Sequence, residues 1–141
     1  MEKIYSKVEP NLLLHIIHRF DEFNEMTDFR NDIIDNDQFI QCAALKMNSG
    51  KTFRPHKHII KKVTDLDRIA QESWVVLRGK VKCTFYDIDD KIIAEPILNE
   101  GDSSFTLRGG HTYTILEDNS RILEYKTGKY LGQKFDKIFI E

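Results

Sequence analysis

Regular alternation of apolar and polar residues predicts β-strands over most of this chain. The clearest case is residues 80–86, in which Val81, Cys83 and Phe85 alternate with mostly polar neighbours. Strand side chains point to opposite faces in turn, so these three are expected to face a core. Other short apolar runs between turn-forming residues predict strands at 39–47, 52–62, 73–77, 91–98, 103–107, 111–116 and 121–126. Strands recurring at intervals of roughly 8–12 residues predict an all-β sandwich or barrel.

The N-terminal part of the chain is less regular than the rest. We predict that residues 1–38 form an arm and a wrapping segment, and that residues 39–141 form the β domain. Residues 12–20 are an apolar run that fits a strand or a short helix, and the polar residues on both sides favour the strand. In a strand, His15 and His18 would lie on opposite faces. They could be additional metal ligands or ordinary hydrogen-bonded histidines.

Composition limits the possible partners and the location of the protein. At 141 residues the chain fits one domain, and 40% hydrophobic with 31% charged residues is typical of a soluble globular protein. A formal net charge of -2 gives no general attraction to nucleic acid or to an anionic membrane, so we expect neither partner. Cys42 and Cys83 lie in apolar stretches, which predicts free thiols. With no apolar leader or long apolar run in the sequence, we expect a cytoplasmic protein.

A histidine pair in residues 50–58 is the first sign of chemistry. His56 and His58 are one residue apart in a predicted strand, so both imidazoles would point to one place. Pro55 favours extended backbone at Arg54. Arg54 lies two residues before His56, so in a strand it would point to the same face as the histidine pair. Arg54 is therefore a candidate to hold an anionic group of a substrate in the same cavity.

Two later residues could complete a metal site with this pair. Glu72 opens a predicted strand, and His111 follows a double glycine at the start of another. Three imidazoles and one carboxylate form a ligand set for one divalent ion such as Zn, Fe, Mn or Ni. Such an ion would act as a Lewis acid or activate a water molecule. Trp74 has the same strand parity as Glu72 and is a candidate wall of the pocket.

These motifs resemble those of the cupin superfamily. The histidine pair followed by Glu72 and Gly79 resembles the first cupin motif, with a longer interval that implies an enlarged loop, and residues 101–111 resemble the second. Residues 38–58, 74–79 and 123–130 are also similar to the WbuC-type cupin metalloproteins. The resemblance implies an all-β, jelly-roll cupin barrel that holds one metal, in bacterial surface-polysaccharide biosynthesis.

The expected activity is therefore an isomerase-like or epimerase-like reaction on a sugar or nucleotide sugar. Tyr130, near the end of the last predicted strand, is a candidate acid or hydrogen-bond donor at the mouth of the pocket. The alternatives are a metal-free nucleotide-sugar ketoisomerase or epimerase, an iron dioxygenase and a non-catalytic saccharide-binding module. We also expect a homodimer, because the edge strands of a small β-barrel need cover that the N-terminal strand could supply.

Overall fold

The structure is a computed structural model that describes residues 1–35, 38–46, 48, 49, 51, 55, 69–127 and 137–140. In chain order its elements are β1 (Glu2–Tyr5), β2 (Leu13–His18), α1 (Glu22–Glu25), β3 (Arg30–Asp32), β4 (Ala43–Leu45), β5 (Glu72–Arg78), β6 (Val81–Tyr86), β7 (Ile92–Ala94), β8 (Ile97–Leu98), β9 (Ser103–Thr106), β10 (Gly110–Ile115) and β11 (Arg121–Lys126). Every pair of neighbouring strands is antiparallel. The predicted all-β class is confirmed.

The strands form two main sheets and one small one. The first has five strands in the order β1-β2-β9-β5-β11, and the second has four, with β10-β6-β7 in a row and β8 also paired to β6. The small sheet consists of β3 and β4. Over the ranges that the structure describes, the sheets do not close into a barrel, so the jelly-roll barrel stays a prediction.

The inner core lies between the two main sheets. Ile17 and Val76 from the five-stranded sheet share a fully buried cluster with Val81, Cys83 and Phe85 from the four-stranded sheet. These last three are the residues that the alternation predicted to face a core. Each large side chain buried in this way contributes about 1.5–3 kcal/mol to stability, so this cluster holds the two sheets together.

A second core covers the outer face of the five-stranded sheet. It contains Ile16 and Phe105 from that sheet, packed against Ile33, Ile40 and Ala44 from the segment that includes β3 and β4. The sheet is thus apolar on both faces. The five-stranded sheet therefore separates two layers of side chains, one on each face.

The N-terminal segment belongs to the first sheet. The strand predicted within residues 12–20 is confirmed as β2, which lies between β1 and β9. Its pairing with β9 puts residues before and after position 39 into one sheet. His15 faces the inner core, where it stacks on Phe85. His18 lies on the other face, where it contacts Phe23.

Several predicted strands differ in length from the observed ones. The strand predicted at 39–47 is only Ala43–Leu45, and the one predicted at 91–98 is divided into β7 and β8. Pro96 lies in that break, and its carbonyl accepts a hydrogen bond from the Cys83 amide at 2.9 Å. The strand predicted at 52–62 lies outside the described residues, apart from Pro55.

Two further observations concern the cysteines and the helices. Cys42 and Cys83 are both free thiols, as predicted. In the described part of the chain, no helix is long and apolar enough to cross a bilayer.

Candidate functional site

A row of polar side chains crosses the inner face of the five-stranded sheet. In the strand register, Glu72 on β5 lies opposite Lys126 on β11 and Thr106 on β9, and Thr106 lies opposite His15 on β2. Directly opposite residues of antiparallel strands point to the same face. We call Lys126, Glu72, Thr106 and His15 the inner polar row. It borders the apolar inner core.

His111 reaches this row from the other sheet. Its Nε2 lies 3.0 Å from Oε1 of Glu72, so two predicted ligands that are 39 residues apart in sequence meet between the sheets. The turn that delivers His111 depends on Gly109, which has a φ of 76°. A Cβ at Gly109 would lie 2.4 Å from the Tyr86 carbonyl oxygen, so only glycine fits this approach.

Trp74 fixes the position of the Glu72 carboxylate. Its Nε1 donates to Oε1 of Glu72 at 3.1 Å and is shared with Oε2 of Glu124 at 3.2 Å. The indole stacks on the Tyr113 ring, with the centroids 3.9 Å apart and the planes within 9°. Trp74 therefore holds the Glu72 carboxylate in place and packs against the inner core.

The protonation state of the pair follows from this environment. Burial raises the pKa of Glu72, but the His111 hydrogen bond and charge, the Trp74 hydrogen bond and the Lys126 charge more than offset it. The net shift is downward, so Glu72 is ionised at neutral pH and accepts the hydrogen bond that Nε2 of His111 donates. Nδ1 of His111 is buried and has no hydrogen-bond partner among the described residues.

The spacing of the pair is also that of two ligands on one metal ion. Two donor atoms about 2.1 Å from an octahedral cation, at right angles to one another, lie about 3 Å apart, whereas around a tetrahedral ion such as Zn they lie about 3.4 Å apart. The 3.0 Å between Nε2 of His111 and Oε1 of Glu72 matches the octahedral spacing. No third histidine, cysteine, aspartate or glutamate completes a metal site among the described residues. Further ligands would have to come from outside them.

His15 is the site residue whose role the sequence left open. It is fully buried, its Nδ1 lies 3.2 Å from Oγ1 of Thr106, and its Nε2 has no partner within the described ranges. Burial lowers the pKa of His15 to about 4, and the nearby Tyr86 backbone opposes this shift only in part, without a well-aligned hydrogen bond to Nε2. His15 is thus a neutral inner-face residue at physiological pH. Its parity with Ile17 was the signal that it points inward.

The structure brings two of the six predicted site residues together. Glu72 and His111 are in contact, whereas His56, His58, Arg54 and Tyr130 lie outside the described residues. Comparison of the chain with protein-family models, with curated proteins and with solved structures finds no match of any of the three kinds.

Proposed function

We propose that this protein is a cupin-type metalloprotein that binds one divalent ion and acts on a sugar or nucleotide sugar. The observation that carries the proposal is the 3.0 Å approach of His111 to Glu72, with one residue from each sheet. Glu72 and His111 would supply two ligands. His56 and His58, which are predicted from the sequence to point to one place, would supply the others.

The donor set suits such an ion in charge and in access. Glu72 is ionised and only 9% of its side chain is exposed, whereas 24% of the His111 side chain is exposed. A buried carboxylate with a partly open imidazole leaves one side of the site accessible to a substrate. When bound, the metal would polarise a carbonyl oxygen of the substrate.

The chain's own residues would orient the ligands and the substrate. Trp74 holds Glu72 by its N–H and so fixes the direction of the carboxylate. Arg54 would bind an anionic substrate group, such as the phosphates of a nucleotide sugar, and Tyr130 would donate a hydrogen bond at the mouth. The sugar class and the isomerase-like or epimerase-like chemistry rest on the sequence motifs.

A second function is favoured by the same contact. An ionised carboxylate that accepts from one imidazole nitrogen leaves the other nitrogen as a base, which is the arrangement of a general acid–base dyad. Nδ1 of His111 has no partner among the described residues. A metal-free ketoisomerase or epimerase that uses His111 to move a proton is therefore the alternative.

Metal stoichiometry and affinity test the first proposal. We expect about one Zn, Fe, Mn or Ni per chain in untagged protein, and at least a tenfold loss of affinity in Glu72→Gln by competition with a chelator. Glu124→Gln is the matched control, because it also alters a carboxylate bonded to Trp74 but is not a predicted ligand. Equal affinity of the wild type and Glu72→Gln would exclude Glu72 as a ligand.

Deuterium exchange separates the two functions. After exhaustive chelation in D₂O, the acid–base alternative predicts that the protein still incorporates deuterium into a nucleotide sugar, and that His111→Ala does not. The metalloprotein proposal predicts that incorporation stops on chelation and returns with added metal. Tight metal binding without any exchange or product would favour a non-catalytic saccharide-binding module.

A further inference from the structure

A cavity of about 540 Å³ lies on the outer face of the five-stranded sheet. Its floor includes Ser73 and Val75 of β5 and Phe105 of β9, and Ile40 and Ala44 are among the residues that cover it. Ser73 lies opposite Phe105 in the register, so both side chains point to this face. The volume falls within the range of about 300–1,000 Å³ that is typical of small-molecule sites.

The wall of this cavity is mainly apolar and has no carboxylate among its described lining residues. His18 also lines it, and burial lowers the pKa of His18 against the opposing charge of Glu22. His18 is therefore neutral at pH 7. Lys126 borders the cavity, but its register partner Glu72 places its side chain on the inner face. Apart from Lys126, the described lining residues carry no charge that would match an ionic ligand.

One polar atom in the cavity lacks a partner. Ser73 is only 1% exposed, and its Oγ forms no hydrogen bond with any described residue. A buried hydroxyl without a partner is unfavourable, and most buried polar atoms in proteins have one. A ligand that carries a hydroxyl or carbonyl group would supply the missing hydrogen bond.

We propose that the cavity binds a mainly apolar small molecule with one neutral hydroxyl or carbonyl group that hydrogen-bonds to Ser73. The apolar body lies against the apolar part of the lining, which includes Phe105, Val75, Ile40 and Ala44. The site is distinct from the Glu72–His111 pair, because Ser73 and Glu72 are adjacent in β5 and point to opposite faces. It does not depend on the proposed metal.

Paired aromatic probes test this proposal on the full chain. 1-Naphthol has a hydroxyl group and naphthalene does not, and binding of each is measured by ¹H–¹⁵N NMR titration. We expect both to bind the wild type, with shifts at residues around the cavity. Ser73→Ala should lower the affinity for 1-naphthol about tenfold, which corresponds to one hydrogen bond of about 1.4 kcal/mol. The affinity for naphthalene should not change. Ser104→Ala, on the inner face of β9, is the matched control and should affect neither probe.

Two further variants keep the test decisive. Ser73→Cys replaces the hydroxyl by a slightly larger thiol that is a weaker donor. It should also weaken the binding of 1-naphthol selectively, and it takes the place of Ser73→Ala if that variant does not fold. Ala44→Phe places a ring in the cavity and should abolish binding of both probes, with the fold checked from the same spectra. Failure of both probes to bind the wild type would overturn the site. An equal effect of Ser73→Ala on both probes would overturn the role of the hydroxyl.

Discussion

The Glu72 carboxylate is oriented by donors from two sheets. His111 and Trp74 both donate to its Oε1, at 3.0 and 3.1 Å. A carboxylate held in this way loses little rotational freedom when it binds a ligand, which is how supporting residues tune a metal or catalytic site. This arrangement would suit the proposed role of Glu72 as a metal ligand.

His15 differs from Glu72 because the folded protein favours its neutral form. Its ordinary pKa of 6.5 falls to about 4 in the folded protein, mainly through burial. Between pH 4 and pH 6.5 the unfolded chain therefore binds more protons at this residue than the folded chain does. Stability is complete above about pH 6.5, and it is lost as the pH falls towards 4.

This linkage predicts a measurable dependence of stability on pH. The shift corresponds to about 3 kcal/mol of unfolding free energy that is lost between pH 7 and pH 4. Urea unfolding at several pH values, in the presence of a chelator, measures it. His15→Gln can keep a hydrogen bond to Thr106 but has no titrating ring, so its stability should fall less over this range. An identical pH dependence in both proteins would contradict the assignment to His15.

At the scale of elements, the turn before β10 decides where His111 lies. Gly109 and Gly110 are adjacent but meet different surroundings. A Cβ at Gly109 would meet the Tyr86 backbone oxygen at 2.4 Å, whereas one at Gly110 would meet the end of the Ile140 side chain at 2.4 Å. A side chain can move away more easily than a backbone carbonyl. Gly109 also has the left-handed φ that glycine tolerates best.

Alanine at each glycine therefore gives a matched pair of variants. We expect Gly109→Ala to destabilise the protein by about 1–2 kcal/mol from the left-handed backbone, and further from the clash with Tyr86. It should also shift the NMR signals of the His111 ring. Gly110→Ala should cost less and leave those signals nearly unchanged. The proposed role of Gly109 fails if the two variants behave alike in urea unfolding.

The strands after residue 71 could be predicted from sequence because their signals are local. Residues 121–126 contain a short apolar run after a polar turn, and they form β11 with the predicted ends. By contrast, β1, α1 and β3 have only three or four residues each, too few for a periodic pattern. The ends of β7 and β8 depend on Pro96 and its contact with Cys83, which is tertiary.

The site was predictable only in part, for a similar reason. Residue type and position in the predicted strands indicated Glu72, Trp74 and His111. No local sequence pattern predicts that His111 contacts Glu72 from the other sheet. The hydrogen bond from Trp74 to Glu72 depends on the distance between the indole nitrogen and the carboxylate, which the sequence does not give. The outer cavity depends on how the segment that contains Ile40 packs, and no pattern in the sequence indicates it.

At the scale of the whole molecule, the N-terminal segment is part of the core. β2 contributes Leu14, Ile16 and Ile17, which are at most 1% exposed. At the end of this strand, Arg19 binds the buried carboxylate of Asp102 at 2.9 Å. Removal of the strand would expose both cores and leave Asp102 without this partner.

Truncation of the chain tests this organisation. Deletion of residues 1–24 should abolish the cooperative unfolding transition, because three buried side chains at about 1.5–3 kcal/mol each approach the 5–15 kcal/mol stability of a typical domain. Deletion of residues 1–5 removes only β1, which has no fully buried side chain, and should lower the urea midpoint without abolishing the transition. A cooperative transition in the longer deletion would contradict the role of β2.

The shorter deletion also bears on the homodimer, which stays a prediction. β1 and β11 are the two edges of the five-stranded sheet as described, and an exposed edge can pair with a second copy. If β1 forms the contact, residues 6–141 should be monomeric by light scattering while the full chain is dimeric. A dimer that survives the deletion would assign the contact to another surface.

The alternation within β5 has a consequence for how this protein can change. Glu72 and Trp74 face one layer and Ser73 and Val75 the other, so a substitution can alter the Glu72–His111 pair or the outer cavity without touching the other. Insertion of one residue into the strand would exchange the two sets of side chains between the layers. Point substitutions in this strand can therefore change the Glu72–His111 pair and the outer cavity independently, whereas a change in strand length would disrupt both together.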